Sequence, residues 1–384
     1  MIYMDHNATT PLHPDVFRAM EPYMRQQFGN ASSSYRLGRS AKSALEGSRK
    51  RVAECLGAHA DEIIFTGGGT ESDNIAIRGV AHALRARGNH LITSRIEHHA
   101  VLKTCQDLER EGFRVTYLPV DSSGQVNPDE VRSHVGSETI LITVMLANNE
   151  TGVIQPLSEI GRIAKEKQIV FHTDAVQAAG KTPVDVNELC VDLLSLSGHK
   201  FCGPKGVGAL YVRRNTPITP PFTGGHHEHN IRPGTENIPG IVGLAEALSI
   251  ATGSLPKVSQ KLSNLRQRFE ATVLRKINGV QINGGNAPRV PNTSNMSFQF
   301  IEGESILLHL DLKGIYASSG SACSTDSPEP SHVLVAMGVP ARMAQGTIRF
   351  SLGKDNTDDQ IDYVIESLIE ITARLREISS VREK

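Results

Sequence analysis

The fold is signalled most clearly by Leu193-Leu194-Ser195-Leu196-Ser197-Gly198-His199-Lys200, an apolar run that ends in a lysine. Upstream, the apolar run Ile169-Val170-Phe171 leads in the same way into His172-Thr173-Asp174. Short apolar runs bounded by turn residues are typical of buried strands. Two strands are therefore predicted to end in side chains that can do chemistry.

A lysine at the end of one strand and an aspartate at the end of another suit pyridoxal 5'-phosphate. The cofactor aldehyde needs an amine for a Schiff base, and its ring nitrogen needs a carboxylate in order to stay protonated. Either segment alone is weak support, because a strand-end Asp is commonly a turn residue and Gly-His-Lys is commonly loop. Together, Lys200 and Asp174 predict a carbanion-forming α/β enzyme.

The composition favours a packed, non-secreted protein. The 384 residues are 39% hydrophobic and 21% charged, and the net charge of −1 gives no support for a nucleic-acid partner. Neither a signal peptide nor an apolar run of roughly 18 residues is expected, so no membrane contact is predicted. Five scattered cysteines without CxxC spacing argue against a disulfide framework or a structural zinc site, and for a cytoplasmic location.

Strand-like and helix-like segments alternate through the first two thirds of the chain. Strands are predicted at 62–66, 90–94, 114–119, 140–146, 169–173, 193–197 and 209–213. Helices are predicted at 40–56, 70–87, 99–112, 127–135 and 156–167, with a short one after Gln177. This alternation indicates a large, mainly parallel seven-stranded sheet, with functional residues at the carboxyl ends of its strands.

The pattern changes after about residue 255. A long helix at 255–276 is followed by strand-like 277–283 and 295–300 and by helical 303–313 and 357–377. We expect a large domain at 15–255. A smaller α+β domain is expected from 1–14 plus 256–384, and it carries the Ser/Gly-rich loop 318–330.

Several motifs have a chemical and a plain structural interpretation. The turn Gly67-Gly68-Gly69-Thr70 can cradle an anion at a helix N-terminus or be a tight βα turn. His98 can stack on a cofactor ring and relay protons, or lie in a surface loop. Asn149 can donate to a ligand oxygen or serve a turn. Arg349 can bind a carboxylate or lie on a surface strand, and Cys323 can be a reactive or an incidental loop thiol.

Together these residues resemble the NifS/IscS cysteine desulfurases, which are fold-type I pyridoxal-phosphate enzymes of the class V aminotransferase superfamily. The resemblance covers nearly the whole chain, through the segments 3–10, 29–33, 65–72, 148–152, 172–177, 195–200, 233–237, 291–293, 318–324 and 349–353. The long loop around Cys323 is similar to that of group I enzymes, and phrases such as Gly68-Gly69-Thr70-Glu71-Ser72-Asp73 resemble NifS more than IscS.

The resemblance implies a role for each matched cofactor residue. Lys200 would form the Schiff base and Asp174 would pair with the ring nitrogen. Gln177 would bond the phenolate oxygen, and His98 would stack on the ring and take part in catalysis. The remaining cofactor contacts would come from Gly69, Thr70, Asn149, Ser197 and His199, with Thr235 reaching in from the other subunit of a homodimer.

The resemblance also implies a reaction. Asn30, Asn149 and Arg349 would bind L-cysteine, and Lys200 would remove its Cα proton. Cys323 would attack the substrate sulfur, leaving L-alanine and a persulfide on Cys323. The acceptor would be a NifU- or IscU-type scaffold protein for iron–sulfur clusters. No structural metal site is expected, although the Cys323 persulfide would transiently ligate a cluster.

Two motifs depart from the family pattern. Ala31 and Tyr35 replace a proline and a histidine, and the segment 224–232 loses two arginines and a glutamine but gains His226, His227 and His229. The alternatives are a selenocysteine lyase or a related aminotransferase, and a non-catalytic scaffold. A transaminase would not need Cys323, and a retired enzyme would be free to lose its reactive residues.

Overall fold

The computed structural model describes residues 1–319 and 330–378. Its strands are β1 (Ile2–Tyr3), β2 (Ile63–Thr66), β3 (His90–Ser94), β4 (Arg114–Leu118), β5 (Thr139–Thr143), β6 (Val170–Asp174), β7 (Leu193–Ser197), β8 (Gly208–Val212), β9 (Val280–Ile282), β10 (Thr293–Phe298), β11 (Ile315–Tyr316) and β12 (Thr347–Ser351). Its helices are α1 (Pro14–Arg25), α2 (Arg36–Leu56), α3 (Gly69–Ala83), α4 (His99–Arg110), α5 (Pro128–His134), α6 (Leu157–Glu166), α7 (Ile238–Lys276), α8 (Gly303–Leu312), α9 (His332–Ala336), α10 (Ala341–Ala344) and α11 (Asp358–Ile378).

A seven-stranded sheet in the order β2-β8-β7-β6-β5-β3-β4 forms the centre of the molecule. Strand β8 runs antiparallel to both of its neighbours, while the pairs from β7 to β4 are parallel. This confirms the predicted α/β class with a mainly parallel sheet. Strands β3 and β7 have the predicted bounds, because each is a short apolar run bounded by turn residues.

Both faces of the large sheet are covered by helices. Alternate residues of a strand point to opposite faces, so Ile63 and Phe65 join a core with α2, α6 and α7, whereas Ile64 packs with Ile75 and Val80 of α3. A parallel sheet that is buried on both faces can bind ligands only at the ends of its strands. The carboxyl ends of β6 and β7 carry Asp174 and Ser197, so the fold places these polar residues at one edge of the sheet.

A second core surrounds the antiparallel sheet β12-β10-β9. Met4, near the N-terminus, packs there with Phe298 and Phe350, and Asp5 bridges to Ser351. The N-terminal segment thus runs from this smaller core to the edge of the large sheet. The predicted domain bounds stay a prediction.

Two helix predictions were wrong. The chain after Gln177 forms turns rather than a helix. Helix α7 starts at Ile238 and not at residue 255, and sequence reasoning also missed α1. Gly243 of α7 would place a Cβ 2.5 Å from the Met20 Sδ of α1, so glycine, a poor helix former, allows this close contact.

By length and composition alone, α7 is apolar enough to cross a membrane, with a mean hydropathy of 1.4 over its most apolar 18-residue window. Sequence reasoning missed this window. In the structure, Ile241, Leu244 and Leu248 are buried in the core that also contains Val16 and Met20 of α1. Contacts of this kind are typical of a core helix.

Candidate active site

A cavity of about 1260 Å³ opens at the carboxyl ends of the parallel strands. Turns that follow β2, β3, β5, β6 and β7 all contribute to it, because parallel strands end at the same edge of a sheet. Ten of the predicted site residues line it: Gly69, Thr70, His98, Asn149, Asp174, Gln177, Ser197, His199, Lys200 and Arg349. Segments far apart in the sequence therefore meet in one cleft.

Lys200 ends a short 3-10 turn that follows β7. Its Nζ atom donates to the carbonyl oxygens of Asn7, at 2.7 Å, and Ala8, at 2.8 Å. The N-terminal segment thus fixes the amine at the cavity wall. A lysine amine held in an enclosed cleft is suited to Schiff-base chemistry with an aldehyde.

Asp174 provides a carboxylate from the neighbouring strand end. Its Oδ1 accepts the backbone N–H of Val176 at 2.8 Å. Burial raises the pKa of Asp174 to about 6, against the opposing effects of that hydrogen bond and of the nearby Lys200. A cationic N–H donor in the cavity would stabilise the anion, and a protonated pyridine nitrogen is such a donor. Asp174 therefore fits the ring nitrogen of pyridoxal phosphate.

A buried polar layer lies beneath Asp174. His172 Nδ1 is 2.8 Å from Thr143 Oγ1, and its Nε2 is 3.0 Å from Ser195 Oγ and 3.6 Å from Asp73 Oδ1. Burial lowers the pKa of His172 to about 3, and burial together with the charge of Asp174 raises the pKa of Asp73 well above its usual range. The layer therefore places a neutral imidazole and a carboxyl of raised pKa under the Asp174 side chain.

The glycine turn forms one end of the cavity. Gly68, with φ of 154°, precedes the first residue of α3. Because glycine has no side chain, it does not cap the first amide groups of the helix. A Cβ on Gly69 would lie 2.7 Å from Val176 Cγ2, so the close approach requires glycine. Uncapped amides at a helix N-terminus attract anions. With Ser197 and His199 beside them, they fit a phosphate group.

His98 caps the N-terminus of α4. Its Nδ1 accepts the backbone N–H of Ala100 at 3.1 Å. Burial, with the charge of Lys200, lowers the pKa of His98 to about 4. The ring is therefore neutral near pH 7 and carries its proton on Nε2. A neutral ring on the cavity wall can stack on a cofactor and donate one N–H.

Arg349 also lines the cavity. The side chain comes from β12 and is only 2% exposed, so the surface-strand interpretation is wrong. Its Nη2 donates to Asp5 Oδ1 at 2.8 Å, and its Nη1 donates to the Asn149 carbonyl oxygen at 3.0 Å. A buried guanidinium that is oriented in this way can bind a carboxylate.

Two predicted residues are not part of the cavity wall, and a third lies outside the described residues. Thr235 is exposed, and Asn30 is exposed with its Oδ1 accepting the Ser32 N–H at 2.8 Å. Cys323 lies outside the described residues. Their roles stay predictions.

The segments on either side of residues 320–329 are attached to the cavity wall. The Ser318 backbone pairs with Arg349, with N–O distances of 3.2 and 2.6 Å. After the undescribed stretch, Ser331 Oγ donates to Glu150 Oε2 at 2.6 Å. Both Glu150 and Arg349 line the cavity.

Sequence reasoning missed Asn7 and Lys181. Asn7 accepts from Lys200, Gln177 and Lys181, and its Nδ2 donates to Thr293 Oγ1 at 2.8 Å. Contacts over more than a hundred residues leave no local pattern in the sequence. The polar segment 7–10 in front of α1 was the available signal.

The three histidines by which segment 224–232 departs from the family pattern do not line the cavity. His226 and His229 are exposed, and His226 Nδ1 is 2.7 Å from Asn230 Oδ1. Within residues 1–319 and 330–378, no group of three or more His, Cys, Asp or Glu side chains is placed to hold a metal ion.

Comparison with known proteins gives consistent matches over the full length. Residues 2–364 match the family described as Aminotransferase class-V. A protein of Dictyoglomus turgidum named "Cysteine desulfurase IscS" is 51% identical over 100% of this chain and 97% of its own length. A protein of the same name from Methanosarcina thermophila is 54% identical, covering 100% of this chain and 95% of its own. A solved structure titled "NIFS-LIKE PROTEIN" is 40% identical, with a TM-score of 0.91, covering 97% and 100% of the two chains.

Proposed function

The chain belongs to the class-V aminotransferase family, and from that premise we propose that it is a pyridoxal-phosphate-dependent cysteine desulfurase. It converts L-cysteine to L-alanine and donates the sulfur to iron–sulfur cluster assembly. One observation carries the proposal: the Lys200 amine, the Asp174 carboxylate and the Arg349 guanidinium line the same cavity. These are the groups needed to hold an aldehyde cofactor and an amino-acid carboxylate together.

The cofactor site is assigned residue by residue. Lys200 holds the aldehyde carbon, Asp174 the ring nitrogen and Gln177 the phenolate oxygen, while His98 stacks on the ring. The phosphate would be held by Gly69 and Thr70 of the glycine turn, together with Ser197 and His199. Asn149 would also contact the cofactor. When bound, pyridoxal phosphate supplies an electron sink for the bond between Cα and its hydrogen.

Lys200 is the residue that moves the substrate proton. With pyridoxal phosphate and substrate bound, its Nζ would be the group that accepts the Cα proton. The carbonyl oxygens of Asn7 and Ala8, at 2.7 and 2.8 Å, stabilise the resulting ammonium and keep it at the cavity wall.

Substrate orientation comes from Arg349 and the groups that hold it. Arg349 binds the carboxylate of L-cysteine, with Asn149 beside it, and Asp5 keeps the guanidinium in place at 2.8 Å. Asn30 is also assigned to substrate binding.

The sulfur is transferred to Cys323 in the same proposal. The Cys323 thiolate attacks the substrate sulfur and an S–S bond forms. The Cβ–S bond breaks with its electron pair staying on the alanyl fragment, which takes up protons at Cβ and Cα and leaves as L-alanine. Attachment of Ser318 and Ser331 to the cavity wall supports this role, because these residues flank the segment that carries Cys323. The persulfide then delivers sulfur to a NifU- or IscU-type scaffold protein. During this delivery the Cys323 persulfide transiently ligates the cluster.

The assembly and location are proposals of the same kind. The protein is a homodimer in which Thr235 contacts the cofactor phosphate of the other subunit, and exposure of Thr235 in a single chain supports this. It is cytoplasmic, and Cys55, Cys105, Cys190 and Cys202 are free thiols in support. The assignment to a NifS rather than an IscS subgroup stays a prediction.

The test compares wild-type protein with Cys323→Ser and with Cys190→Ser, a free cysteine that does not line the cavity. Bound cofactor, L-alanine and sulfide are measured after addition of L-cysteine and a reductant. Wild type and Cys190→Ser should release both products in equal amounts, whereas Cys323→Ser should keep its cofactor and lose turnover. Full activity of Cys323→Ser would instead favour a lyase or transaminase without a persulfide.

A further inference from the structure

Lys181 is a buried amine that the proposed reaction leaves without a role. It lies in the turns after Gln177, and only 9% of its surface is exposed. Its Nζ donates to Asn7 Oδ1 at 2.9 Å and to Gln177 Oε1 at 2.7 Å. Both partners are amide oxygens, and within the described residues no carboxylate forms an ion pair with Lys181.

The amide group of Gln177 has one orientation in this arrangement. Its Oε1 accepts from Lys181 and its Nε2 donates to the Asn7 carbonyl oxygen at 3.0 Å. In a flipped amide, Oε1 would face the Asn7 carbonyl oxygen and Nε2 would face the Lys181 amine. An acceptor would then face an acceptor and a donor would face a donor. One hydrogen of Nε2 is used by Asn7, so the other is available to the cavity, which Gln177 lines.

The surroundings of Lys181 oppose its charged form. Burial and the positive charges of Lys200 and Arg349 hold its pKa well below the usual range, while the Cys202 thiol has a weaker opposing effect. The two amide oxygens are therefore the contacts that hold the amine in place. Burial is also the main cause that lowers the pKa values of His6 and His199, near this amine, to about 4.

We propose that Lys181 is a positioning residue that fixes the Gln177 amide so that an N–H points to the phenolate oxygen of bound pyridoxal phosphate. The inference rests on the proposed function for the cofactor, but not on the identity of the substrate. An N–H donor stabilises negative charge on that oxygen. The charge is greatest when the Schiff-base nitrogen has lost its proton and no longer bonds the oxygen. Lys181 therefore lowers the pKa of the Schiff base on Lys200.

The experiment is a spectroscopic pH titration of the holoenzyme. Lys181→Met keeps the length of the side chain but removes both donors, and should raise the pKa of the Schiff base by about one unit, a tenfold change in its acid dissociation constant. Gln177→Met should raise it by as much or more. In the double variant, Lys181→Met should add nothing, since its effect passes through Gln177. An exposed lysine of α6 gives the matched control, Lys165→Met, with an unchanged titration.

Two results would overturn the proposal: an unchanged Schiff-base pKa in Lys181→Met, or an equal shift with and without Gln177. Should Lys181→Met not fold, Lys181→Leu replaces it with the same expected rise. Affinity of the cofactor-free protein for pyridoxal phosphate, from equilibrium dialysis, should fall in Lys181→Met and not in Lys165→Met. Wild type that shows the Schiff-base band without releasing sulfide would reject the desulfurase function and leave the titration readable, whereas absence of the band would reject the cofactor site.

Discussion

Arg49 and Glu228 form a two-pronged ion pair inside the protein, with both N–O distances at 2.8 Å. Glu228 also accepts the backbone N–H of Phe65 at 2.7 Å, on the strand that leads into the glycine turn 67–69. Glu228, His229 and Asn230 all have positive φ, between 45° and 66°, a conformation that costs energy for residues with a Cβ. The ion pair therefore keeps a strained segment docked against β2.

Loss of one partner of this pair should destabilise the protein strongly. In Arg49→Met the Glu228 carboxylate stays buried without its cation, and we expect the free energy of unfolding to fall by about 3–5 kcal/mol in urea titration. Arg51→Met is the matched control, because Arg51 lies on the same helix and its ion pair with Glu246 is solvent-exposed. That variant should lose less than about 1 kcal/mol. Equal losses in both variants would show that the buried pair has no special weight.

The sequence predicted those parts of the site that depend on local pattern. Asp174 and Lys200 were found because Asp174 ends one short apolar strand and Lys200 closely follows another, and strand ends at one sheet edge must meet. Lys181 was missed because the segment after Gln177 was interpreted as a helix, where it forms turns. Asn7 joins the site only through contacts across the whole fold, and such contacts have no signature in sequence spacing.

The same distinction explains the error in α7. Pro239, Gly240 and Gly243 weaken a helical pattern, so sequence reasoning began the helix at residue 255. In the structure, Pro239 is in the first turn, where proline is tolerated, and Gly243 makes room for Met20. Tertiary packing thus reversed the local preference.

Glu97 should make stability fall as the pH rises. Its carboxyl accepts the Met145 N–H at 3.1 Å and the Ser94 hydroxyl, and burial raises its pKa from 4.5 to about 8. Between these values the folded state holds one proton more than the unfolded state. The contribution is full below pH 4.5 and is lost as the pH rises towards 8, by up to about 1.4 kcal/mol per pH unit.

Glu97→Gln should remove that slope, because its amide does not titrate. We expect the free energy of unfolding to be flatter between pH 5 and pH 8 than in wild type. The exposed Glu54 of α2 provides a control, since Glu54→Gln should keep the wild-type slope. A Glu97→Gln protein with an unchanged slope would mean that Glu97 is ionised in the native state.

Gly208→Ala should weaken cofactor binding without touching the cavity. An added Cβ would lie 2.6 Å from the Leu196 carbonyl oxygen and 2.7 Å from the backbone of Gly68. Backbone atoms cannot rotate away, so the glycine turn, which is proposed to hold the cofactor phosphate, must shift. We expect about 1–3 kcal/mol of destabilisation and weaker binding of pyridoxal phosphate in equilibrium dialysis.

Gly47→Ala, with nothing within 4 Å of its Cβ, should instead stabilise α2 by about 0.5–1 kcal/mol. Wild-type cofactor affinity in Gly208→Ala would show that the turn tolerates displacement.

Asp5 should act on substrate binding through the orientation of Arg349. Its Oδ1 accepts from Arg349 Nη2 at 2.8 Å, and Arg349 Nη1 reaches the Asn149 carbonyl oxygen at 3.0 Å. Asp5→Ala removes the acceptor of this hydrogen bond. Because a hydrogen bond to a charged group is worth about 1.5–3 kcal/mol, the KM for L-cysteine should rise about tenfold or more with little change in kcat.

Asp5→Asn keeps an acceptor oxygen and should stay within about twofold of the wild-type KM. Equal increases in the two variants would assign the effect of Asp5 to its charge, and an unchanged KM in Asp5→Ala would remove Asp5 from substrate binding. Because Asp5 lies beside the second core and Arg349 on β12, this pair is where the smaller sheet acts on the cavity formed by the larger one.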